Sequence, residues 1–216
     1  MCIDWNLIFS LITAVVAIAA LILSSMQSRK QIQTSNKQHL FDMRMENYTI
    51  ATGLIQLYLS NERFFNEERK NEPEMAIDLE FLWLTNNTYL RHITTVIQEP
   101  LKEPLHKDFL IKLEEVKNVS NKTKFLFNGT AAKLLSDFIM TYKELLFVMY
   151  QYQILIENMK TQANNYNWTR EEAQEKLNEP EHREKLYVAI DRLKQSYNLI
   201  EKEKAIKKIE EQIKLK

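Results

Sequence analysis

Two Glu-x-x-His motifs are the residues of this chain whose types and spacing could do chemistry. They are Glu103-Pro-Leu-His106 and Glu179-Pro-Glu-His182. On a helix this spacing puts a carboxylate and an imidazole on one face, and two such pairs with further glutamates hold the metals of di-iron bundles. Here each motif contains a proline, which suits the first turn of a helix but not its interior. We therefore interpret both motifs as helix starts and predict no metal site.

Glycine is scarce, which excludes the common nucleotide-binding and hydrolase motifs. The only glycines are Gly53 and Gly129, whereas phosphate-cradling loops and nucleophile elbows need several at fixed spacing. Basic and acidic residues number 29 each, so no bulk positive field favours nucleic acid. The sequence therefore predicts a non-enzymatic protein with no catalytic residue, no cofactor, no nucleic-acid partner and no small-molecule substrate.

The chain begins with a long apolar segment, whose location decides where the rest of the protein lies. Residues 7–23 are seventeen consecutive uncharged positions. The run from Trp5 to Met26 has the roughly 20 residues that an α-helix needs to cross hydrocarbon. Trp5 falls at the expected lipid–water boundary, where an indole is favoured. A cleaved signal peptide is the alternative, but it would need a basic start and a shorter apolar core. We predict a retained transmembrane anchor over residues 1–28.

The charges beside this segment predict its orientation. Asp4 precedes it, whereas Arg29, Lys30 and Lys37 follow it. We therefore predict a single-pass protein of a bacterial cell membrane. By the positive-inside rule its N-terminus lies outside and its long C-terminal part lies in the cytoplasm.

Asparagine sequons favour the opposite orientation. Six Asn-x-Ser/Thr triplets begin at Asn47, Asn86, Asn118, Asn121, Asn128 and Asn167. Glycosylation would need the domain to be lumenal. We interpret the triplets as a product of an asparagine-rich composition, because the charge flanks oppose export.

Small residues recur along one side of the apolar segment. They are Ser10, Ala14, Ala17 and Ser24. Such faces let membrane helices approach closely, which motivates the hypothesis that the anchor self-associates. Alanine and serine are also common in bacterial anchors, and that alternative stays open.

The remaining sequence predicts an all-α fold, because two glycines and four prolines leave few turns for a sheet. We expect a transmembrane helix that continues into a long helix, then an antiparallel helical bundle and a C-terminal amphipathic helix. The predicted segments are a polar helical stalk at 29–40, a cytoplasmic helical bundle at 41–178 and the C-terminal helix at 179–216.

Apolar periodicity places the individual helices. A stripe of Phe41, Met45, Tyr48, Thr52, Ile55 and Leu59 predicts the first buried face. Further helices are predicted over 75–98, after Pro104, and around 135–159, and Thr169 is predicted to be an N-cap. After Pro180 the apolar seam is broken at Lys204 and Lys207. We expect the last turns beyond this break to project into solvent or toward a partner.

The junction after the apolar segment carries a resemblance. Residues 35–48 read Ser-Asn-Lys-Gln-His-Leu-Phe-Asp-Met-Arg-Met-Glu-Asn-Tyr. This stretch resembles uncharacterised bacterial single-pass membrane proteins that have a polar stalk and a similar Lys-Gln-x-Leu-Phe-Asp-x-Arg stretch. The resemblance covers about residues 1–65. It implies membrane attachment and an accessory, prophage or phage-defence context, but no activity.

These features together predict a membrane-tethered helical interaction or regulatory protein. Its expected partners are the lipid bilayer and either another protein or a second copy. The alternative is a membrane-active effector that oligomerises through its anchor and permeabilises the bilayer.

Overall fold

The computed structural model describes residues 5–66 and 76–214, and every regular element in these ranges is a helix. The α-helices are α1 (Trp5–Asn66), α2 (Ile77–Thr85), α3 (Leu105–Leu126), α4 (Gly129–Tyr166), α5 (Arg170–Lys176), α6 (Glu179–Lys202) and α7 (Ala205–Ile213). A 3-10 helix spans Arg91–Ile97 between α2 and α3. The predicted all-α fold is confirmed.

The chain divides into two units, and the boundary along α1 lies between Met43 and Arg44. In the first unit every side chain from Phe9 to Leu40 is exposed. Helix α1 is long and apolar enough to cross a membrane by length and composition. The side chain of Trp5 lies outside the described residues.

The second unit, Arg44–Lys214, is a bundle built around α4. Helix α4 packs against α2, α3, α5, α6 and α7. Ser120 contacts Ser136 near the α3–α4 connection, and His106 contacts Tyr150 at the far end of the pair. These two contacts run in opposite directions along the helices, so α3 and α4 are antiparallel. The terminal segment 179–214 belongs to this same unit.

The helix predicted over 75–98 is wrong as a single element. Helix α2 ends at Thr85, and Met75 lies outside the described residues. The Asn87 side-chain oxygen accepts the backbone N–H groups of Tyr89 and Leu90 at 3.0 and 2.8 Å. This side-chain turn competes with helical hydrogen bonding, and the chain resumes as a 3-10 helix. Apolar spacing continues across the turn, which is why it suggested one helix.

The buried face of α1 also differs from the predicted stripe. Met45 and Leu59, which were predicted to be buried, are 40% and 42% exposed. Ile55 of the predicted stripe is buried as expected, but the other buried residues of this face are Asn47, Ala51, Leu54 and Tyr58. Asn47 is tolerated there because its amide donates to Val119 O at 3.1 Å and accepts from Thr123 at 2.7 Å.

The C-terminal segment forms two helices, α6 and α7. The prediction that its last turns project into solvent or toward a partner is wrong. Lys204 adopts a left-handed conformation with φ of 51°, which ends α6 and redirects the chain. Helix α7 then packs against α4 and α6 and buries Ala205, Ile209 and Ile213. The displaced apolar seam therefore belongs to a helix that docks back onto the bundle.

A single arginine joins three helices at one end of the bundle. Arg44 of α1 donates from Nε to Leu126 O and from Nη1 to Gln212 O, each at 2.9 Å. Both carbonyls belong to the last turns of their helices, α3 and α7, where no intrahelical donor remains. A positive charge also interacts favourably with helix C-termini. The Gln212 amide extends the contact by bonding to the backbone of Asn128.

Replacing Arg44 should destabilise the bundle. Arg44→Met keeps the aliphatic stem but leaves two partly buried carbonyls without a donor, so the free energy of unfolding should fall by about 1–3 kcal/mol. Chemical denaturation of the full chain in detergent, followed by circular dichroism, measures this loss. Arg192→Met is the matched control, because Arg192 is 63% exposed and lies 3.9 Å from Glu144. It should change stability by less than about 0.5 kcal/mol, and equal losses for the two variants would contradict the role of Arg44.

Tyrosines form much of the aromatic core. Tyr58 lies 6.1 Å from Phe138 and 5.0 Å from Tyr197 between ring centroids. Burial, reinforced by the charge of Glu62, raises the pKa of Tyr58 to about 12. Burial likewise raises the pKa of Tyr142, whose hydroxyl donates to Leu84 O at 2.7 Å. These phenols are held protonated by the fold.

The raised tyrosine pKa values predict alkaline unfolding. An unfolded tyrosine ionises near pH 10, whereas Tyr58 in the folded chain ionises near 12. The folded state therefore binds more protons between these values, so this stabilisation is complete below pH 10 and is lost as pH rises through 12. Tyrosinate absorbance and circular dichroism recorded together should show delayed ionisation and loss of helix in that window. Complete ionisation near pH 10 with intact helices would contradict it.

Candidate functional site

The first Glu-x-x-His motif is engaged by a tyrosine of α4. His106 Nδ1 lies 2.5 Å from the Tyr150 hydroxyl, and that hydroxyl also donates to Pro100 O. A carbonyl can only accept, so the single hydroxyl proton goes to Pro100 and His106 donates through Nδ1–H. This contact therefore requires a proton on Nδ1 of His106. Glu103, the other member of the motif, is exposed.

The second motif is engaged by Tyr152, which also belongs to α4. Here the glutamate of the motif, and not the histidine, makes the contact. Glu179 is fully buried and accepts from the Tyr152 hydroxyl. Arg183 Nε donates to Glu179 Oε1 at 2.9 Å, and Arg183 Nη2 donates to Oε2. Both carboxylate oxygens are thus occupied by protein donors, as a buried charge requires.

The interpretation of both motifs as helix starts is confirmed. Helix α3 begins at Leu105, directly after Pro104, and Pro180 lies in the first turn of α6. Within residues 5–66 and 76–214, no three or more histidine, cysteine, aspartate or glutamate side chains gather as a metal site would require. The predicted N-cap at Thr169 is confirmed as a full capping box with Glu172.

The residues predicted to act at the membrane lie on α1. Ser10, Ala14, Ala17 and Ser24 are exposed, as are Arg29, Lys30 and Lys37. Their exposure is compatible with self-association and with orientation by charge, and both roles stay predictions.

One sequon is incompatible with a glycan in this fold. The Asn47 side chain is 3% exposed and its amide is used for contacts with α3. The asparagines of the other five sequons are exposed. A glycan at Asn47 would therefore have to displace α1 from α3.

A buried lysine lies under the loop between α2 and the 3-10 helix. Lys112 Nζ is 4.3 Å from the centre of the Tyr89 ring and forms an ion pair with Glu115. Burial lowers the pKa of His92, and the nearby Lys112 charge lowers it further. The Tyr89 pKa is raised to about 12 by burial and by the charges of Glu115 and Glu46. This cluster secures Tyr89 against α3.

Beside Tyr89 lies a cavity of about 590 Å³ that sequence reasoning missed. We call it the polar groove. One wall is α1 and the other is the turn after α2. Its lining residues are Thr49, Ile50, Thr52, Gly53, Gln56, Leu57, Ser60, Asn86, Asn87, Thr88 and Tyr89. The only sequence signal for it is a glycine inside a long helical segment, where glycine is unfavourable.

A second cavity of about 540 Å³ lies between the end of α4 and α5. Ile156, Met159, Ala163 and Ala173 make much of its surface apolar. Between α4 and α5 the rings of Tyr166 and Trp168 stack with their centroids 5.0 Å apart, and Lys176 lies over the indole.

Comparison of the chain with protein-family models, curated proteins and solved structures finds no match.

The two Glu-x-x-His motifs should respond differently to the same substitution. Glu179→Gln removes a fully buried charge that pairs with the half-buried Arg183, so the free energy of unfolding should fall by about 2–4 kcal/mol. Glu103→Gln changes an exposed carboxylate and should cost less than about 0.5 kcal/mol. Denaturant unfolding of the full chain measures both. A loss for Glu103→Gln as large as that for Glu179→Gln would contradict the assignment.

Proposed function

We propose that this chain is a membrane-tethered helical interaction or regulatory protein, without catalytic activity, at the inner face of a bacterial membrane. The observation that carries the proposal is the uncovered apolar part of α1. Ten large hydrophobic side chains between Phe9 and Met26 are exposed, from 53% for Ile12 to 70% for Leu21. Burying each gains roughly 1.5–3 kcal/mol, so a lipid environment is strongly favoured over water.

Charge supports the proposed orientation. Arg29, Lys30 and Lys37 follow the apolar segment and are exposed, whereas Asp4 precedes it in the sequence. The positive-inside rule then favours a cytoplasmic bundle. Polar contacts between helices, such as Ser120 with Ser136 and Asn47 with Thr123, hold the bundle together, and the bundle can present its surfaces to another protein. The resemblance over residues 1–65 supports an accessory or phage-related context.

A membrane-active effector is the second candidate. It is favoured by Ser10, Ala14, Ala17 and Ser24, which are small and exposed on the apolar part of α1. Helices that associate through such a face can cluster in the bilayer. The hydroxyl of Thr13 donates to Phe9 O at 2.8 Å, so it is satisfied within the helix and offers little to a water-filled pore.

C-terminal reporter fusions in a bacterial host test the proposal. A green fluorescent protein fusion should be fluorescent and membrane-bound, and an alkaline phosphatase fusion should be inactive, because the C-terminus is cytoplasmic. Replacing Arg29, Lys30 and Lys37 by glutamate should raise phosphatase activity, since it removes the positive flank. An active phosphatase fusion of the unaltered chain would contradict the orientation.

The same cells separate the two candidates. An intact membrane potential during overexpression is expected for an interaction protein. Collapse of the potential, relieved by the double variant Ala14→Leu and Ala17→Leu, would favour the effector.

A further inference from the structure

The polar groove has a composition unlike the rest of the surface. Charged residues make up 27% of the chain, yet none of the eleven described residues that line the groove is charged. A phosphate or carboxylate ligand would find no countercharge among these lining side chains. The lining therefore selects for an uncharged ligand that forms hydrogen bonds.

Donors and acceptors on the two walls are held in fixed positions. The hydroxyls of Thr49 and Thr52 donate to the carbonyls of Met45 and Tyr48 at 2.9 and 2.8 Å, so their oxygens offer lone pairs as acceptors. On the opposite wall the Asn87 side-chain oxygen is occupied by two backbone N–H groups. This fixes the amide plane and leaves Nδ2 as an oriented donor, for which the described residues supply no acceptor.

Gly53 keeps the floor of the groove open. A Cβ added at this position would lie 3.5 Å from Asn87 Nδ2, an ordinary contact distance, so packing does not require glycine. Glycine also weakens a helix interior compared with alanine. The bare helix backbone at Gly53 leaves room for a ligand to lie directly against it.

We propose that the polar groove binds an uncharged, extended peptide segment of a partner protein. A peptide offers one donor and one acceptor per residue, which matches the oriented groups of the two walls. The wall from Thr49 to Ser60 is about 16 Å long at 1.5 Å per helical residue, enough for about five residues of extended chain. Ile50, Leu57 and Tyr89 supply apolar contacts for its side chains. The proposal rests on the interaction role given above and names its site.

A displayed library of random heptapeptides, selected on the full chain in lipid nanodiscs, tests the proposal. Peptides with uncharged centres should be enriched over empty nanodiscs. Their affinity, measured by fluorescence anisotropy, should fall at least about tenfold for Gln56→Glu, because the peptide would bury an unpaired carboxylate. Gln195→Glu is the matched control, an exposed glutamine of α6 away from the groove, and it should leave the affinity unchanged.

A second variant separates binding from folding. Gly53→Ala should raise the melting temperature by about 2–4 °C, because alanine favours the helix, and should weaken peptide binding by placing a methyl on the groove floor. Failure to enrich any peptide, or equal binding to wild type, Gln56→Glu and Gly53→Ala, would overturn the proposal. Binding of neutral maltooligosaccharides in place of peptides, lost in Gln56→Glu, would also overturn it. A partner protein retained equally by wild type and Gln56→Glu would overturn the groove assignment while leaving the interaction role intact.

Discussion

Two helix C-termini meet at the guanidinium of Arg44, and this contact joins α1, α3 and α7 at one end of the second unit. Helices α3 and α7 each end with carbonyls that have no intrahelical donor, and one planar cation donates to both. The Tyr48 hydroxyl, 2.6 Å from Glu210, holds α7 one turn further along α1. Arg44 and Tyr48 both belong to the stretch on which the resemblance to membrane proteins rests. In this fold Arg44 and Tyr48 fasten α7 to the first part of the second unit.

Helix α4 packs against most of the other helices of the second unit, and polar side chains among its apolar ones make specific contacts with them. Tyr150 and Tyr152 each hold one Glu-x-x-His motif, the first through the imidazole and the second through the carboxylate. Ser120 and Ser136 exchange hydrogen bonds with each other's backbone where α3 and α4 cross. Buried polar groups are costly when unpaired, so these reciprocal contacts specify which helix faces which. Residue types that could have ligated a metal serve here to set helix register.

Among the described residues, two features favour a binding partner outside the chain: the apolar part of α1 and the polar groove. The apolar part of α1 is uncovered by protein and favours lipid, which supports the proposed tether. The polar groove has an oriented amide donor and an open helix backbone at Gly53, which favours a peptide. A tethered bundle with a neutral recognition groove would act by holding a partner near a membrane, a role that needs no catalytic group.

Much of the fold follows from the sequence alone, because helix signals are local. The scarcity of glycine and proline, the apolar run after Trp5, and the Glu-Pro and Thr169 starts each act within a few residues. Local signals could not predict three features of the fold: the buried face of α1, the turn at Asn87 and the packing of α7 against the bundle. Asn47 is buried and Arg44 is half-buried because α3 and α7 supply their hydrogen-bond partners. The Asn87 side chain ends α2 in a turn by accepting hydrogen bonds from the residues that follow it. The polar groove has the same origin, since its walls are distant in sequence and only packing brings them together.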